Sequence, residues 1–120
     1  MMHDSTSVFT VSDITASLAY YRDKLGFDVA FEYGTPTFYA GLCSGKVTLH
    51  LISASRTERK SGQGAVNIFV ENVDALHADL VKRGAKVIKA PANYDYGLRD
   101  FDVADLDGNT IFFGMEIPKD

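Results

Sequence analysis

The chain has 120 residues, of which 46% are hydrophobic and 23% charged, and it carries a formal net charge of -4. That is the composition of a soluble globular protein, long enough for one domain with a real core or for two half-sized units sharing one. The acidic balance argues against nucleic acid, whose phosphates call for a basic surface, and mildly favours a neutral or cationic ligand. No long apolar run and no N-terminal signal pattern is present, so neither a membrane partner nor export is expected. The single cysteine, Cys43, cannot form an internal disulfide, which fits a reducing cytoplasm. It sits in an apolar strand with no base beside it and is expected to be an inert core thiol.

Taken in order, Thr6 to Val11 alternates and predicts a first strand. Ser12 or Asp13 then caps a helix by accepting from its first free N–H groups. Ile14, Leu18, Tyr21 and Leu25 form one apolar stripe along it, and Gly26 ends it. Strands follow at Phe27 to Tyr33, Thr37 to Cys43 and Val47 to Ser53, joined by turns at Gly34-Thr35-Pro36 and Ser44-Gly45-Lys46. Residues 54 to 64 (ASRTERKSGQG) read as a linker or mobile loop, and the basic cluster Arg56, Arg59 and Lys60 within it as a solvated face.

The pattern then begins again. Ala65 to Val70 predicts a strand, and Asn72 caps a helix striped by Val73, Leu76, Leu80 and Val81 and ended by Gly84. Lys86 to Ala90 is a strand and Pro91 to Tyr96 a loop. A hairpin closes the chain, with Asp105 to Gly108 as its turn. That turn sets Phe101 opposite Phe112 and Arg99 opposite Gly114. One face then carries Arg99, Phe101, Val103, Thr110 and Phe112, the other Ile111, Phe113 and Met115. The Asp-rich turn does not have the spacing of an EF-hand calcium loop. Helix starts and ends match between the halves: Val11-Ser12-Asp13-Ile14 against Val70-Glu71-Asn72-Val73, and Leu25-Gly26-Phe27 against Arg83-Gly84-Ala85. The chain is therefore β-α-β-β-β twice over, an internal repeat whose copies bury their faces together and leave a cleft between them.

From Thr6 to Glu116 this pattern resembles the glyoxalase/bleomycin-resistance/extradiol-dioxygenase group, the vicinal oxygen chelate superfamily. The resemblance is carried by VSDITASLAYYRDKLGF at 11–27, VTLHLIS at 47–53, VNIFVENVDALHADLVKRGA at 66–85 and YGLRDFDVADLDGNTIFFG at 96–114. It implies an α+β fold: two βαβββ modules, about 5–54 and about 64–117 of a single domain spanning 1–120, forming an open, cupped, eight-stranded mixed sheet with helices on the outer face. It also implies a homodimer. The group's enzymes hold a divalent metal at four positions, which fall here at Thr6, His50, Ala65 and Phe112. Only His50 is a strong ligand type, whereas a catalytic site normally takes about three. No cofactor is therefore expected, and the pattern comes closest to the non-catalytic bleomycin-resistance branch.

The expected role is accordingly to bind a small aromatic or antibiotic-like molecule in a metal-free cleft, without catalysis. The alternative is a metal-dependent lyase, isomerase or dioxygenase with atypical ligands, and a third reading is an interaction module whose cup is filled by its own side chains. The residues expected to line the cleft are Phe38, His50, Asn67, Phe69, Tyr94, Tyr96, Arg99, Phe101 and Phe112. His50 is a ligand anchor, a remnant metal ligand or a neutral core histidine. Arg99 either meets a ligand carboxylate or aromatic ring or pairs with Asp100 or Asp102. Either Phe38 or Tyr39 faces the cup, since the two alternate. Tyr94 and Tyr96 are pocket rim or dimer contact, and His77 lies at the surface or its boundary.

Overall fold

The computed structural model describes residues 1–118. The first repeat comprises β1 (Ser7–Val11), α1 (Ile14–Asp23), β2 (Asp28–Tyr33), β3 (Tyr39–Ser44) and β4 (Val47–Ser53). After one 3-10 turn, Ala54–Arg56, the second comprises β5 (Ala65–Phe69), α2 (Val73–Arg83), β6 (Lys86–Asn93), β7 (Leu98–Ala104) and β8 (Thr110–Glu116). The eight strands form two four-stranded sheets, ordered β1-β4-β3-β2 and β5-β8-β7-β6. The β1–β4 and β5–β8 pairs are parallel and the remainder antiparallel, so both sheets are mixed. Among the described residues no helix is long and apolar enough to cross a membrane.

Both helices start where a side chain satisfies a free amide. Asp13 Oδ1 accepts from Ala16 N at 3.1 Å, and Asn72 Oδ1 accepts from Ala75 N at 3.0 Å. Gly84 closes α2 with φ of 87°, a backbone few side chains tolerate. The α1 stripe of Ile14, Leu18 and Tyr21, with Leu25 beyond it, is buried as its spacing predicts, and so are Val73 and Leu80 of α2. Val81 is exposed, because it lies about 100° around the helix from Leu80. α1 packs on β2 and β4, and α2 on β6, β7 and β8. The inward sheet faces of both repeats merge into one core, in which Phe101 and Phe113 stack at 5.3 Å and Tyr21 meets Phe27 edge-on at 5.8 Å.

The closing hairpin departs from expectation by one residue. Its connection takes five residues, Asp105 to Asn109, and Asp105 N donates to Asn109 O at 2.9 Å. Phe101 is therefore paired with Phe113, Val103 with Ile111 and Arg99 with Met115. A slip of one moves every side chain of a strand to the other face. Phe101 and Val103 are thus fully buried against the helices, while Asp100 and Asp102 share the cup face with Gly114 and Phe112. β6 also runs on through Pro91 to Asn93 where a loop was expected. It is an edge strand with register shifts at Val87/Lys89 and Lys89/Ala92, the setting in which a residue without an N–H is tolerated.

The extra turn residue has a use. Asn109 is buried and bridges the repeats: Nδ2 donates to Thr10 O at 3.0 Å, and Oδ1 accepts from Gly64 N at 2.7 Å. Asp105, also buried, accepts from Tyr21 Oη at 2.8 Å, Asn109 Nδ2 at 2.9 Å, and the amides of Asp107 and Asn109, both at 2.9 Å. Burial, reinforced by the Asp105 charge, pushes the Tyr21 hydroxyl far above its ordinary range. Ser12 N donates to Asp107 Oδ1 at 3.1 Å. The segment expected to be a mobile linker is pinned at this junction, since Gly62 N donates to Thr10 O at 3.3 Å and Gly64 N to Asn109.

Candidate functional site

The face of each sheet turned away from the helices is the candidate site. In the first repeat, Val8, His50, Gly41 and Phe31 stand in one cross-strand row, and Thr10, Ile52, Tyr39 and Tyr33 in the next. Tyr39 Oη lies 2.9 Å from His50 Nδ1, so Nε2 is the ring nitrogen left for a ligand. Phe31 meets His50 edge-on at 5.3 Å and lies roughly parallel to Tyr39 at 6.3 Å. That ring covers Gly41, where a Cβ would overlap it, so the absence of a side chain at Gly41 sets the aromatic arrangement. Phe31 and Val8 are 43% and 46% exposed, an open apolar surface rather than a filled one. Two clefts open on this face. One of about 470 Å³ is lined by Val8, Tyr39, Ile52, Thr57 and Arg59. The other, of about 290 Å³, is lined by Val8, Thr10, Arg59, Lys60, Gln63 and Gly64.

In the second repeat the corresponding row is Asn67, Phe112, Asp102 and Lys89. Lys89 Nζ lies 3.3 Å from Asp100 and 3.8 Å from Asp102, and 4.1 Å from the centre of the Tyr94 ring. Tyr94, with help from the two aspartates, raises the Lys89 ammonium above the ordinary lysine range against the cost of desolvation. Tyr96 Oη donates to Asp100 Oδ2 at 2.9 Å, and the two tyrosines stack at 5.3 Å with planes 9° apart. Burial pushes the Asp102 carboxyl up, and its Oδ1 has no hydrogen-bond partner. The cavity beside Phe69 and Phe112 is only about 20 Å³ within one chain, although Phe69 is 68% exposed.

Of the predicted cleft residues, His50, Asn67, Phe69 and Phe112 lie on the cup faces, with Tyr94 and Tyr96 at their edge. Phe101 does not: it is wholly buried on the helix side, with His77 edge-on at 5.2 Å. Arg99 is also on that side. It holds Asp74 of α2 through two hydrogen bonds of 2.8 and 3.0 Å and donates to Asn93 at 3.1 Å, rather than pairing with Asp100 or Asp102. That contact keeps the Asp74 carboxyl below its usual range. Phe38 precedes β3 and packs on Tyr33 at 5.3 Å under the Arg56 guanidinium, so Tyr39 is the residue of that pair that meets His50. Phe31, Lys89, Asp100 and Asp102 were missed. The signal for Phe31 was Gly41 in the next strand; the signal for the aspartates was Asn109 after Gly108, a fifth turn residue.

The four positions where the group's enzymes hold metal do not carry a metal's donors here. In register, Val8 rather than Thr6 stands opposite His50, and Asn67 rather than Ala65 opposite Phe112. Thr6 is occupied with Thr48, the two hydroxyl oxygens 2.6 Å apart. One imidazole and one carboxamide do not make a divalent-metal site. Among the described residues no three His, Cys, Asp or Glu side chains are placed to share an ion.

The family profile described as Glyoxalase/Bleomycin resistance protein/Dioxygenase superfamily matches residues 5–113. The chain belongs to that superfamily. No curated protein matches it in sequence. Among solved structures, a superfamily member from Sphaerobacter thermophilus is 24% identical with a TM-score of 0.82, covering 97% of this chain and 98% of its own. The bleomycin-binding protein of Streptomyces verticillus, solved with copper(II)-bleomycin, is 24% identical with a TM-score of 0.78, over 94% and 95% of the two chains. TioX from Micromonospora is 17% identical with a TM-score of 0.81, over 97% and 100%. At these identities the superfamily likeness fixes the fold, and the chemistry must be argued from the residues.

Proposed function

We propose that this superfamily member is a binding protein. It holds a small aromatic, antibiotic-like molecule against the cup face of the first repeat, without a metal and without turnover. The observation that carries the proposal is the Phe31–Tyr39–His50 wall beside an unfilled cleft of about 470 Å³, at a position whose donor set does not suit a metal. An apolar wall with a few oriented polar groups is what a small-molecule site requires. The protein works as a cytoplasmic homodimer in this proposal. Each cup face is open on its own, with Val8, Phe31, Tyr33 and Phe69 between 43% and 68% exposed, and a second copy supplies the opposite wall.

The test is a melting-temperature screen with copper-loaded and metal-free bleomycin and a panel of aromatic drugs, alongside calorimetry of stripped protein with nickel, manganese and zinc. A ligand at one hundred times its Kd stabilises the native state by about 2.7 kcal/mol, and Tyr39→Ala or His50→Ala should remove that shift. Micromolar metal binding, about −8 kcal/mol, that vanishes in His50→Ala would overturn the proposal in favour of a metal enzyme. No shift with any compound would favour a module that binds another protein. Light scattering after gel filtration tests the dimer.

A further inference from the structure

The basic segment between the repeats carries charges that neither the fold nor the proposed aromatic wall uses. Arg59 lines both clefts of the first cup face, and Lys60 lines one. Among the described residues neither has a carboxylate within ion-pair distance, although acidic side chains outnumber basic ones 16 to 12. Only Arg22, Arg83, Lys89 and Arg99 among the described lysines and arginines are paired with an aspartate; Arg59 and Lys60 differ from the other unpaired cations in lining the clefts of this face. The segment is also fixed in place. Ser53 caps its first turn, Thr57 Oγ1 accepts from Arg59 N at 3.2 Å, and Gly62 and Gly64 are bonded to the module junction. Arg59 shares one cleft with Val8, Tyr39 and Ile52, and in the adjoining cleft Lys60 joins it beside Val8 and Thr10.

We propose that Thr57–Gly64 is an anion-binding strap, in which Arg59 and Lys60 take a carboxylate or sulfonate carried by a ligand whose rings lie on Val8, Tyr39 and Ile52. The inference rests on the proposed aromatic cleft and adds the charge class of what enters it. An unpaired guanidinium offers a planar fork matched to a two-oxygen anion. A strap already held at both ends loses little freedom when it closes on a ligand. The overall charge of -4 would favour a cation, so this subsite selects an anion locally against the molecule's own net charge.

Two fluorescent probes with the same rings provide the test: 1-anilinonaphthalene-8-sulfonate, and N-phenyl-1-naphthylamine, which lacks the sulfonate. The double variant Arg59→Ala/Lys60→Ala should raise the sulfonate's Kd at least about tenfold (~1.4 kcal/mol) and leave the neutral probe's Kd within about twofold. Arg59→Lys should fall between the two, because it keeps the charge and loses the fork. Added salt should weaken the sulfonate and spare the neutral probe. If both probes bind and the sulfonate is indifferent to the double variant, the strap is overturned and the cleft stands. If neither probe binds the native protein, the aromatic cleft falls and the strap with it. Melting curves of each variant confirm that the fold is intact.

Discussion

The two cup faces share one backbone plan and have opposite chemistry. Where the first repeat has His50, Gly41 and Phe31 in a row, the second has Phe112, Asp102 and Lys89. The first is aromatic, with unpaired cations at its rim; the second is an ion cluster capped by two stacked tyrosines. The difference teaches that the repeat conserves what the core needs and leaves the outward row free. The buried strand residues on the helix side are apolar in both halves, Phe9, Leu49 and Leu51 in one and Ile68, Ile111 and Phe113 in the other, whereas no position in the two outward rows carries the same residue.

The comparison can be broken most forcefully at the seam between the halves. Asp105→Ala leaves the Tyr21 hydroxyl, the Asn109 side chain and two amides short of their acceptor. At roughly 1–3 kcal/mol for each buried group left unpaired, the loss should be about 4 kcal/mol in urea unfolding. Next comes the contrast of the two sides of one sheet. Phe101→Ala should lower stability by about 3–5 kcal/mol. Phe69→Ala, at an exposed position, should change the monomer by less than about 0.5 kcal/mol and weaken the proposed dimer. Gly41→Ala should displace the Phe31 ring, lowering stability by about 1–3 kcal/mol and weakening any aromatic ligand on the order of tenfold, as read by calorimetry.

The smallest effect concerns Asp102. Burial raises its carboxyl above the ordinary 3.8, so the folded chain binds that proton more tightly than the unfolded one. Ionising it therefore subtracts stability as pH rises past the ordinary value, and acid restores it. Asp102→Asn should stabilise the protein at pH 7 by less than ~1 kcal/mol, and the gain should vanish below about pH 4; unfolding midpoints across pH check the sign.

The repeat, the helix caps (the first to within one residue) and the apolar stripes apart from Val81 were legible because each depends on local spacing. The cup faces were legible only in part. Assigning a strand residue to a face requires the register to the nearest residue, and the register hung on whether Asn109 belonged to the turn or to β8. Its side chain is drawn to Thr10 and Gly64, far away in sequence, so local propensity could not decide. Arg99 went astray for the same reason: its partner Asp74 is on a helix 25 positions earlier, not beside it in the strand. Phe31 is placed by Gly41, a residue that signals only through what it lacks.

The seam itself is lopsided. The second repeat's five-residue turn closes on Ser12 and Tyr21, but the first repeat's counterpart, between Ser44 and Val47, is only Gly45-Lys46. Where a matching latch would have reached Glu71, there is instead a groove of about 610 Å³ lined by Phe27, Gly45, Lys46, Glu71 and Leu76. A repeated unit with one seam bonded and the other open tolerates change more readily at the open one. Insertions at Gly45-Lys46 would lengthen a turn beside an open groove, whereas insertions at Asp105–Asn109 would break the bonds that tie this turn to Thr10, Ser12 and Tyr21.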